Sequence, residues 1–272
     1  MKPFLLAQVS DLHVRAGGQL AYGRVDTTAM FRRCVERLLA LAQRPDAVAL
    51  TGDLVDLARP EEYAVLRELL APLSMPIYMI PGNHDSREAL RAAFPEHAYL
   101  RQSPDFVQYV IDDHPLRIVA IDTVIPGHSA GELCETRLAW LERTLAAAPD
   151  RATLVLMHHP PFQAFITHMD RIALRDPERF ERVIARHPQV ELIVCGHVHR
   201  PITKRFGGTL VWAAPSCAHQ IELDLSDSPG GFVMEPPAFM LHAYSREAGL
   251  VTHMAYVDDY PGPYRFSGSY GS

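Results

Sequence analysis

The residues of this sequence whose types and spacing could do chemistry fall into five short clusters. They are Asp11-Leu12-His13, Gly52-Asp53, Gly82-Asn83-His84-Asp85, His158-His159 and Gly196-His197-Val198-His199. Carboxylate and imidazole groups are suitable ligands for zinc, manganese or iron. In an extended chain residues i and i+2 project to the same side, so Asp11 with His13 and His197 with His199 can each face one cavity. The clusters therefore indicate a transition-metal site.

Each cluster alone carries little weight, because a D-x-H triplet is expected about once by chance in a chain of this length. A further triplet of this kind, Asp112-Asp113-His114, lies just before Pro115 and between two strand-like runs. We interpret it as a polar hairpin turn. A single histidine at a strand end is also more often structural than a ligand. The metal hypothesis therefore depends on all five clusters together.

The elements that must position these clusters are short apolar runs that end in polar residues. Such runs predict buried strands over residues 4–9, 47–50, 77–80, 116–121, 154–157, 192–195 and 210–212. Helical patterns lie between several of them, over residues 27–42, 61–70, 135–147 and 177–186. This alternation is typical of an α/β layered domain. In such sheets ligands collect beyond the carboxyl ends of the strands, where the five clusters lie.

Taken in order, the complete clusters resemble the signature of the calcineurin-like metallophosphoesterases: D-x-H, G-D, G-N-H-D, a strand-end His and G-H-x-H. Between the clusters, the sequence is most similar to the branch of class III cyclic nucleotide phosphodiesterases and bacterial glycerophosphodiesterases. The segments that carry this second resemblance are Leu20-Ala21-Tyr22-Gly23, Arg59-Pro60-Glu61-Glu62-Tyr63, Met157-His158-His159-Pro160-Pro161 and Tyr260-Pro261-Gly262-Pro263. The resemblance implies an α/β fold, a four-layer α/β/β/α sandwich of the metallophosphoesterase type with a C-terminal β-hairpin cap.

The resemblance also implies two transition-metal ions, each Mn, Fe, Zn or Co. One ion would be held by Asp11, His13, Asp53 and His199. The other would be held by Asp53, Asn83, His158 and His197. Asp53 would bridge, because one carboxylate has two oxygens and two-metal hydrolases hold their cations about 3.5 to 4 Å apart. A hydroxide shared by the metals would be the nucleophile, since coordination lowers the pKa of water.

The remaining candidate residues would act on the substrate. His84 would stabilise or protonate the departing oxygen, and its neighbour Asp85 would orient it. His159 is expected to support a ligand rather than to bind metal. His219 follows the strand at 210–212 and could line the pocket. Tyr22 and Phe162 could stack on a base, with plain packing as an equal alternative for both.

The resemblance to this branch implies a phosphodiesterase for small diesters such as cyclic nucleotides, including cAMP, or glycerophosphodiesters. A phosphomonoesterase or an exonuclease could use the same metal core, but a net charge of −6 argues against binding a nucleic-acid polymer. A non-catalytic binding scaffold of the same fold is a further alternative. It would be expected to have lost ligands, and no ligand position is substituted here.

The organisation of the chain changes after about residue 205, where helical periodicity stops. We predict a catalytic core over residues 1–205, followed over residues 206–272 by final core strands, a cap or dimerisation hairpin and a tail. The hairpin would consist of 239–244 and 250–256. A two-stranded ribbon is marginal alone in water, so the hairpin needs a partner surface, either the core of the same chain or a second subunit. We favour the second subunit, in a symmetric homodimer or a higher homo-oligomer. The sequence contains neither a signal-like segment nor a membrane-length apolar run, which favours a cytoplasmic protein without membrane contact.

Overall fold

The computed structural model describes residues 2–265 of the chain. Its strands, numbered in chain order, are β1 (Phe4–Val9), β2 (Ala47–Thr51), β3 (Ile77–Ile80), β4 (Tyr109–Ile111), β5 (Arg117–Ala120), β6 (Thr153–Leu156), β7 (Val190–Cys195), β8 (Ile202–Phe206), β9 (Thr209–Ala213), β10 (Gln220–Ile221), β11 (Phe232–Val233), β12 (Ala238–Ser245) and β13 (Gly249–Tyr256). Its helices are α1 (Thr27–Ala40), α2 (Pro60–Leu70), α3 (Arg87–Ala93), α4 (Glu135–Ala146), α5 (Thr167–Asp170) and α6 (Pro177–Ile184), and a short 3-10 helix covers Ala98–Arg101. Each predicted strand and helix is present, with bounds that differ by two residues or fewer. Within the described residues, no helix has the length and apolar character that crossing a membrane requires.

Two sheets organise the part of the chain that the structure describes. One is five-stranded in the order β13-β12-β1-β2-β3, the other is six-stranded in the order β4-β5-β6-β7-β9-β8, and β10 and β11 form a separate ribbon. β1, β2 and β3 run parallel, as do β5, β6, β7 and β9. Parallel neighbours end at the same edge of a sheet, so the segments that follow them lie side by side.

The sheets pack against each other, and helices cover their outer faces. Strand residues of the second sheet alternate between two cores with the two-residue period of a strand, whereas those of the first sheet belong to one core. In β6, for example, Leu154 and Leu156 belong to the first core and Val155 to the second. Helices α1 and α2 complete the first core, whereas α4 and α6 complete the second. The layers are therefore helices, sheet, sheet, helices, which confirms the predicted α/β/β/α sandwich.

The predicted C-terminal hairpin is confirmed, but its position corrects the expectation of a cap. β12 pairs antiparallel with β1, from Phe4↔Tyr244 to Gln8↔Met240, and β13 forms the outer edge. The hairpin extends the first sheet because β1 would otherwise present an unpaired edge beside a buried core. The division of the chain near residue 205 stays a prediction, and residues 266–272 of the predicted tail lie outside the described residues.

The segment Asp112-Asp113-His114 connects β4 to β5, which pair antiparallel from Tyr109↔Ala120 to Ile111↔Ile118. The prediction of a polar hairpin turn is therefore confirmed. The His114 ring stacks on Phe4 with ring centres 4.6 Å apart, and its Nε2 lies 2.7 Å from the Tyr78 hydroxyl. This histidine thus packs against the first sheet.

Candidate metal centre

The ends of β1, β2, β3, β6 and β7 bring ligand-type side chains to one edge shared by the two sheets. Asp11, His13, Asp53 and His199 form a first buried group, with one ligand atom from each within 4.8 Å of the others. In this group His13 Nε2 lies 3.7 Å from Asp53 Oδ2, and His199 Nε2 lies 3.5 Å from Asp11 Oδ1. These are the residues that the family resemblance assigns to one ion.

A second group adjoins the first through Asp53. Asn83 Oδ1 lies 3.1 Å from His158 Nε2 and 3.0 Å from His197 Nδ1. Asp53 Oδ1 lies 3.4 Å from His158 Nε2, whereas Oδ2 faces His13. The two oxygens of Asp53 therefore face different groups, as bridging between two cations requires.

The backbone reaches this arrangement through unusual local conformations. Five ligand-type residues adopt positive φ, with values of 55° at Asp11, 45° at His13, 48° at Asp53, 69° at His197 and 46° at His199. Such conformations cost about 1–3 kcal/mol each for residues other than glycine. Hydrogen bonds between neighbouring turns hold them, including Asp11 N to Gly52 O at 3.1 Å and His13 N to Asp53 O at 2.9 Å. Asp11 and His13 thus share one group, but through left-handed turns rather than the extended chain assumed from the sequence.

Two glycines allow the segments to approach this closely. A Cβ atom at Gly82 would collide with the carboxylate and backbone nitrogen of Asp53. One at Gly196 would collide with Ser10 Oγ and Asp11 Oδ2. The glycines of the G-N-H-D and G-H-x-H clusters therefore leave space for the acidic ligands of neighbouring strands.

The ring nitrogens of the histidines fit a metal site. Nδ1 of His158 donates to Thr51 O at 2.8 Å, and Nδ1 of His199 donates to His219 O at 3.0 Å. A carbonyl oxygen only accepts, so in the neutral rings Nε2 carries the lone pair that faces the cluster, as metal binding requires. Among the described residues, buried His197 Nε2 has no hydrogen-bond partner. Nδ1 of His197 is the nitrogen that faces Asn83 in the second group, and a buried polar atom without a partner, such as this Nε2, is uncommon in folded proteins.

Burial and charge act in opposite directions on the pKa values of this site. Burial raises the pKa of Asp53, but the nearby His158 and His84 hold it well below its ordinary value. Burial lowers the pKa of His158, but the charge of Asp53 outweighs it and raises that pKa to about 9. Burial raises the pKa of Asp11 to about 6. Cations bound here would displace the proton that His158 otherwise holds.

Comparisons with known proteins identify the family of this chain. Residues 4–201 match the family model described as calcineurin-like phosphoesterase. The chain belongs to the calcineurin-like phosphoesterase family. The protein named "Probable glycerophosphodiester phosphodiesterase GpdQ" from Arcobacter nitrofigilis is 40% identical over 264 residues, which cover 96% of each chain. The protein named "3',5'-cyclic adenosine monophosphate phosphodiesterase CpdA" from Pseudomonas aeruginosa is 30% identical over 257 residues, which cover 94% of this chain and 90% of that protein. The fold is also similar to that of a dimetal phosphatase from Danio rerio, with a TM-score of 0.63, 14% identity and coverage of 93% of this chain and 99% of that one.

In this phosphoesterase His84 lies beside the first group, and its side chain is 33% exposed, compared with 1% for His13 and 5% for His199. Its ring meets that of His13 edge to face, with centres 4.7 Å apart. Its backbone N–H donates to Asp53 Oδ1 at 2.9 Å, and Nδ1 donates to Asp56 O at 2.8 Å. Because Nδ1 is engaged, Nε2 is the nitrogen that a substrate can meet.

The expectation that Asp85 orients His84 is corrected by the contacts of its carboxylate. Asp85 accepts hydrogen bonds from the backbone N–H groups of Leu54 and Gly82, at 3.0 and 2.8 Å, and from the Tyr63 hydroxyl at 3.0 Å. Its carboxylate therefore joins the turns after β2 and β3, and its hydrogen-bond partners do not include His84.

Sequence reasoning missed the residue that does contact His84. The Asp56 carbonyl accepts a hydrogen bond from His84 Nδ1. The Asp56 carboxylate lies 3.3 Å from His13 Nδ1 and 2.6 Å from the Arg15 guanidinium. The signal available was a second carboxylate three positions after Asp53 in the same turn. A single sequence does not separate that from an ordinary surface aspartate.

His159 and Phe162 are both buried, and each makes contacts within the protein. His159 Nδ1 lies 2.8 Å from Thr123 Oγ1, and Nε2 donates to Ser129 O at 3.1 Å. With both ring nitrogens engaged, it packs beside His197 at 4.7 Å between ring centres and supports that ring. Phe162 is buried in the second core, which corrects the expectation of stacking on a base and leaves the packing alternative.

An aromatic wall, defined here as Tyr22, His219 and Phe232, flanks the first group. The His219 ring lies 4.8 Å from the ring of His199, 5.3 Å from Tyr22 and 5.3 Å from Phe232, between centres. Tyr22 is 56% exposed, so one side of the wall is open to solvent. Phe232 was not identified from the sequence, because it lies in a Gly-rich segment without periodicity.

Proposed function

We propose that this member of the family is a dinuclear metal-dependent hydrolase of small phosphodiesters. The observation that carries the proposal is the position of Asp53, whose two oxygens face two separate sets of ligand-type side chains. Asp11, His13 and His199 would complete the site of one ion, and Asn83, His158 and His197 that of the other. The donor set suits manganese, iron, zinc or cobalt.

The chemistry divides between the metals and the chain. When bound, the two cations neutralise phosphate oxygens and lower the pKa of water towards neutrality. The chain contributes His84, whose Nε2 is available to stabilise or protonate the departing oxygen. The carbonyl of Asp56 holds that ring by accepting from Nδ1. Burial of the carboxylates excludes water and strengthens every charge interaction in the site.

Small diesters suit this site better than polymers. The net charge of −6 gives no basis for holding a nucleic-acid backbone. The relative named for glycerophosphodiesters is 40% identical and the one named for cyclic AMP is 30% identical, so glycerophosphodiesters are the first class to test. The aromatic wall would contact an apolar or planar part of the alcohol. A homodimer and a cytoplasmic location are part of the same proposal.

The test is a substrate panel with metal-reconstituted enzyme. Glycerophosphodiesters, cyclic nucleotides, bis(p-nitrophenyl) phosphate and p-nitrophenyl phosphate are assayed side by side, and we expect the diesters to be hydrolysed faster than the monoester. The chain offers a matched control in its two D-x-H triplets: His13→Ala should abolish activity, whereas His114→Ala should retain it. A monoester preference, or equal losses in the two variants, would contradict the proposal.

A further inference from the structure

A continuous network of polar side chains, buried at Gln8, Thr51 and His242 and partly buried at Thr252, runs between the two apolar sheet faces. It begins at Thr252 on the edge strand β13 and passes through His242 on β12 to Gln8 on β1. His242 Nδ1 lies 2.9 Å from Thr252 Oγ1, and His242 Nε2 lies 3.1 Å from Gln8 Oε1. Gln8 Nε2 then donates to Thr51 Oγ1 and to Cys195 O, both at 3.0 Å. This network of side chains therefore links the C-terminal hairpin to the last residues of β2 and β7.

The direction of these bonds follows from one carbonyl. Cys195 O accepts only, so the amide nitrogen of Gln8 must face it and Oε1 must face His242. His242 Nε2 must then donate, and its Nδ1 must accept from the Thr252 hydroxyl. Gln8 and His242 are fully buried, so each bond replaces one that water would otherwise make. A fully satisfied buried network of this kind fixes the positions of the groups it joins.

Thr51 and Cys195, the residues that Gln8 contacts, lie next to the proposed metal centre. Thr51 O accepts from Nδ1 of His158 at 2.8 Å, and this contact sets the orientation of that ring. Cys195 is two residues before His197, at the end of β7. Gln8 therefore joins the first sheet, which carries Asp53, to the strand of the second sheet that carries His197.

We propose that Gln8 and His242 are positioning residues for the metal ion assigned to His158 and His197. They hold Thr51 and Cys195 at the separation that lets ligands from the two sheets share one cation. The hairpin thereby contributes to metal binding without contacting the metal. The inference rests on the metal ligands of the proposed function, and it is independent of which diester is the substrate.

The test is a titration of the metal-free full-length chain with Mn²⁺, followed by calorimetry and by the electron paramagnetic resonance signal of the paired ions. Partners of ligating histidines typically change metal affinity by about 10–100-fold when they are removed. Gln8 and His242 act through Thr51 and Cys195 rather than on a ligand ring, so in Gln8→Leu and in His242→Leu we expect one Mn²⁺ to bind about tenfold more weakly, the lower end of that range, while the other keeps its affinity. His242→Gln should restore binding, because its amide N–H can replace Nε2–H as donor to Gln8.

A control separates this role from loss of stability. Ile184 is buried on α6 in the second core, away from the polar network, and Ile184→Val or Ile184→Ala can be matched to Gln8→Leu in thermal midpoint. The matched variant should bind both ions as the wild type does. Equal weakening of both ions in Gln8→Leu, the same loss in the control, or no rescue by His242→Gln would overturn the proposal. A wild-type chain that binds fewer than two ions would overturn the metal assignment itself.

Discussion

The metal-binding edge and the C-terminal hairpin belong to the same first sheet but differ in the regularity of their backbone. At the edge, Asp11, His13 and Asp53 adopt left-handed conformations and bury polar groups. In the hairpin, β12 and β13 pair without interruption from Ala238↔Tyr256 to Ser245↔Gly249. The first region accepts backbone strain to bring charges together, and regular pairing in the second helps stabilise the sheet that bears this strain. Strained backbone conformations therefore lie where ligand-type side chains meet, and regular strand pairing lies where the chain has a structural role.

The largest expected effect comes from a substitution at the metal-binding edge that leaves the hairpin unchanged. Asp53→Ala removes the carboxylate that faces both ligand groups, so it should abolish the binding of two ions and the diester activity together. Loss of metal-based charge stabilisation amounts to several kcal/mol, or about a thousandfold or more in rate. Elemental analysis after gel filtration, with turnover measured on the same sample, checks this. Near-normal rates at full metal content would refute the bridging assignment.

A smaller effect separates chemistry from metal binding within the edge. His84→Ala should keep the metal content, because His84 contacts Asp53 through its backbone N–H rather than its ring. Turnover should fall by about a hundredfold or more with a poor leaving group, and by less with nitrophenolate. The ratio of the two losses is the measurement. Equal losses on both leaving groups would exclude a role for His84 at the departing oxygen.

The two regions also differ in how far the sequence predicts them. Asp11, His13, Asp53 and the other proposed ligands could be assigned because the five clusters together resemble a family signature, and metal chemistry restricts which residue types can hold such positions. Asp56 was missed because part of its role runs through a backbone carbonyl, which any residue could supply. The hairpin was recognised from its alternation, but its pairing with β1 was not, since Phe4↔Tyr244 joins opposite ends of the chain. Local pattern determines an element, whereas non-local pairing determines its place.

A pH experiment isolates the contribution of the hairpin. Burial lowers the pKa of His242 to about 3 from an ordinary value of 6.5, so the folded chain keeps this ring neutral while the unfolded chain protonates it below about pH 6.5. Stability from this site is therefore full above pH 6.5 and is lost as the pH falls towards 3. Between pH 7 and pH 5 the loss should be about 2 kcal/mol. Denaturant unfolding of the wild type and of His242→Gln at both pH values measures it, and an identical pH dependence in the two would exclude the assignment.

The smallest expected effect concerns the outer edge of the hairpin. Among residues 2–265, no strand pairs with the outer side of β13, and Val251, Met254 and Tyr256 of this strand are exposed, at 45%, 40% and 44%. An open strand edge with apolar side chains favours pairing with a second copy of the chain, and antiparallel pairing of two β13 strands would be symmetric. We therefore expect a homodimer, measurable by light scattering over a range of concentrations. Truncation before β12 is not a suitable test, because it would also remove the partner of β1.

Substitution of one side chain avoids that problem. Met254→Glu places a charge at the proposed contact while leaving the pairing of β12 with β1 intact, and it should weaken dimerisation by about tenfold, the effect of roughly 1.4 kcal/mol at an interface. Leu210→Glu on β9 is the matched control, because Leu210 is also an exposed apolar strand residue, at 45%, but belongs to the other sheet. It should leave the dimer unchanged. A monomeric wild type, or equal weakening in the control, would show that the exposed side chains of β13 are not an interface. Diester turnover should be similar in both variants, since neither residue belongs to the proposed metal site or the aromatic wall.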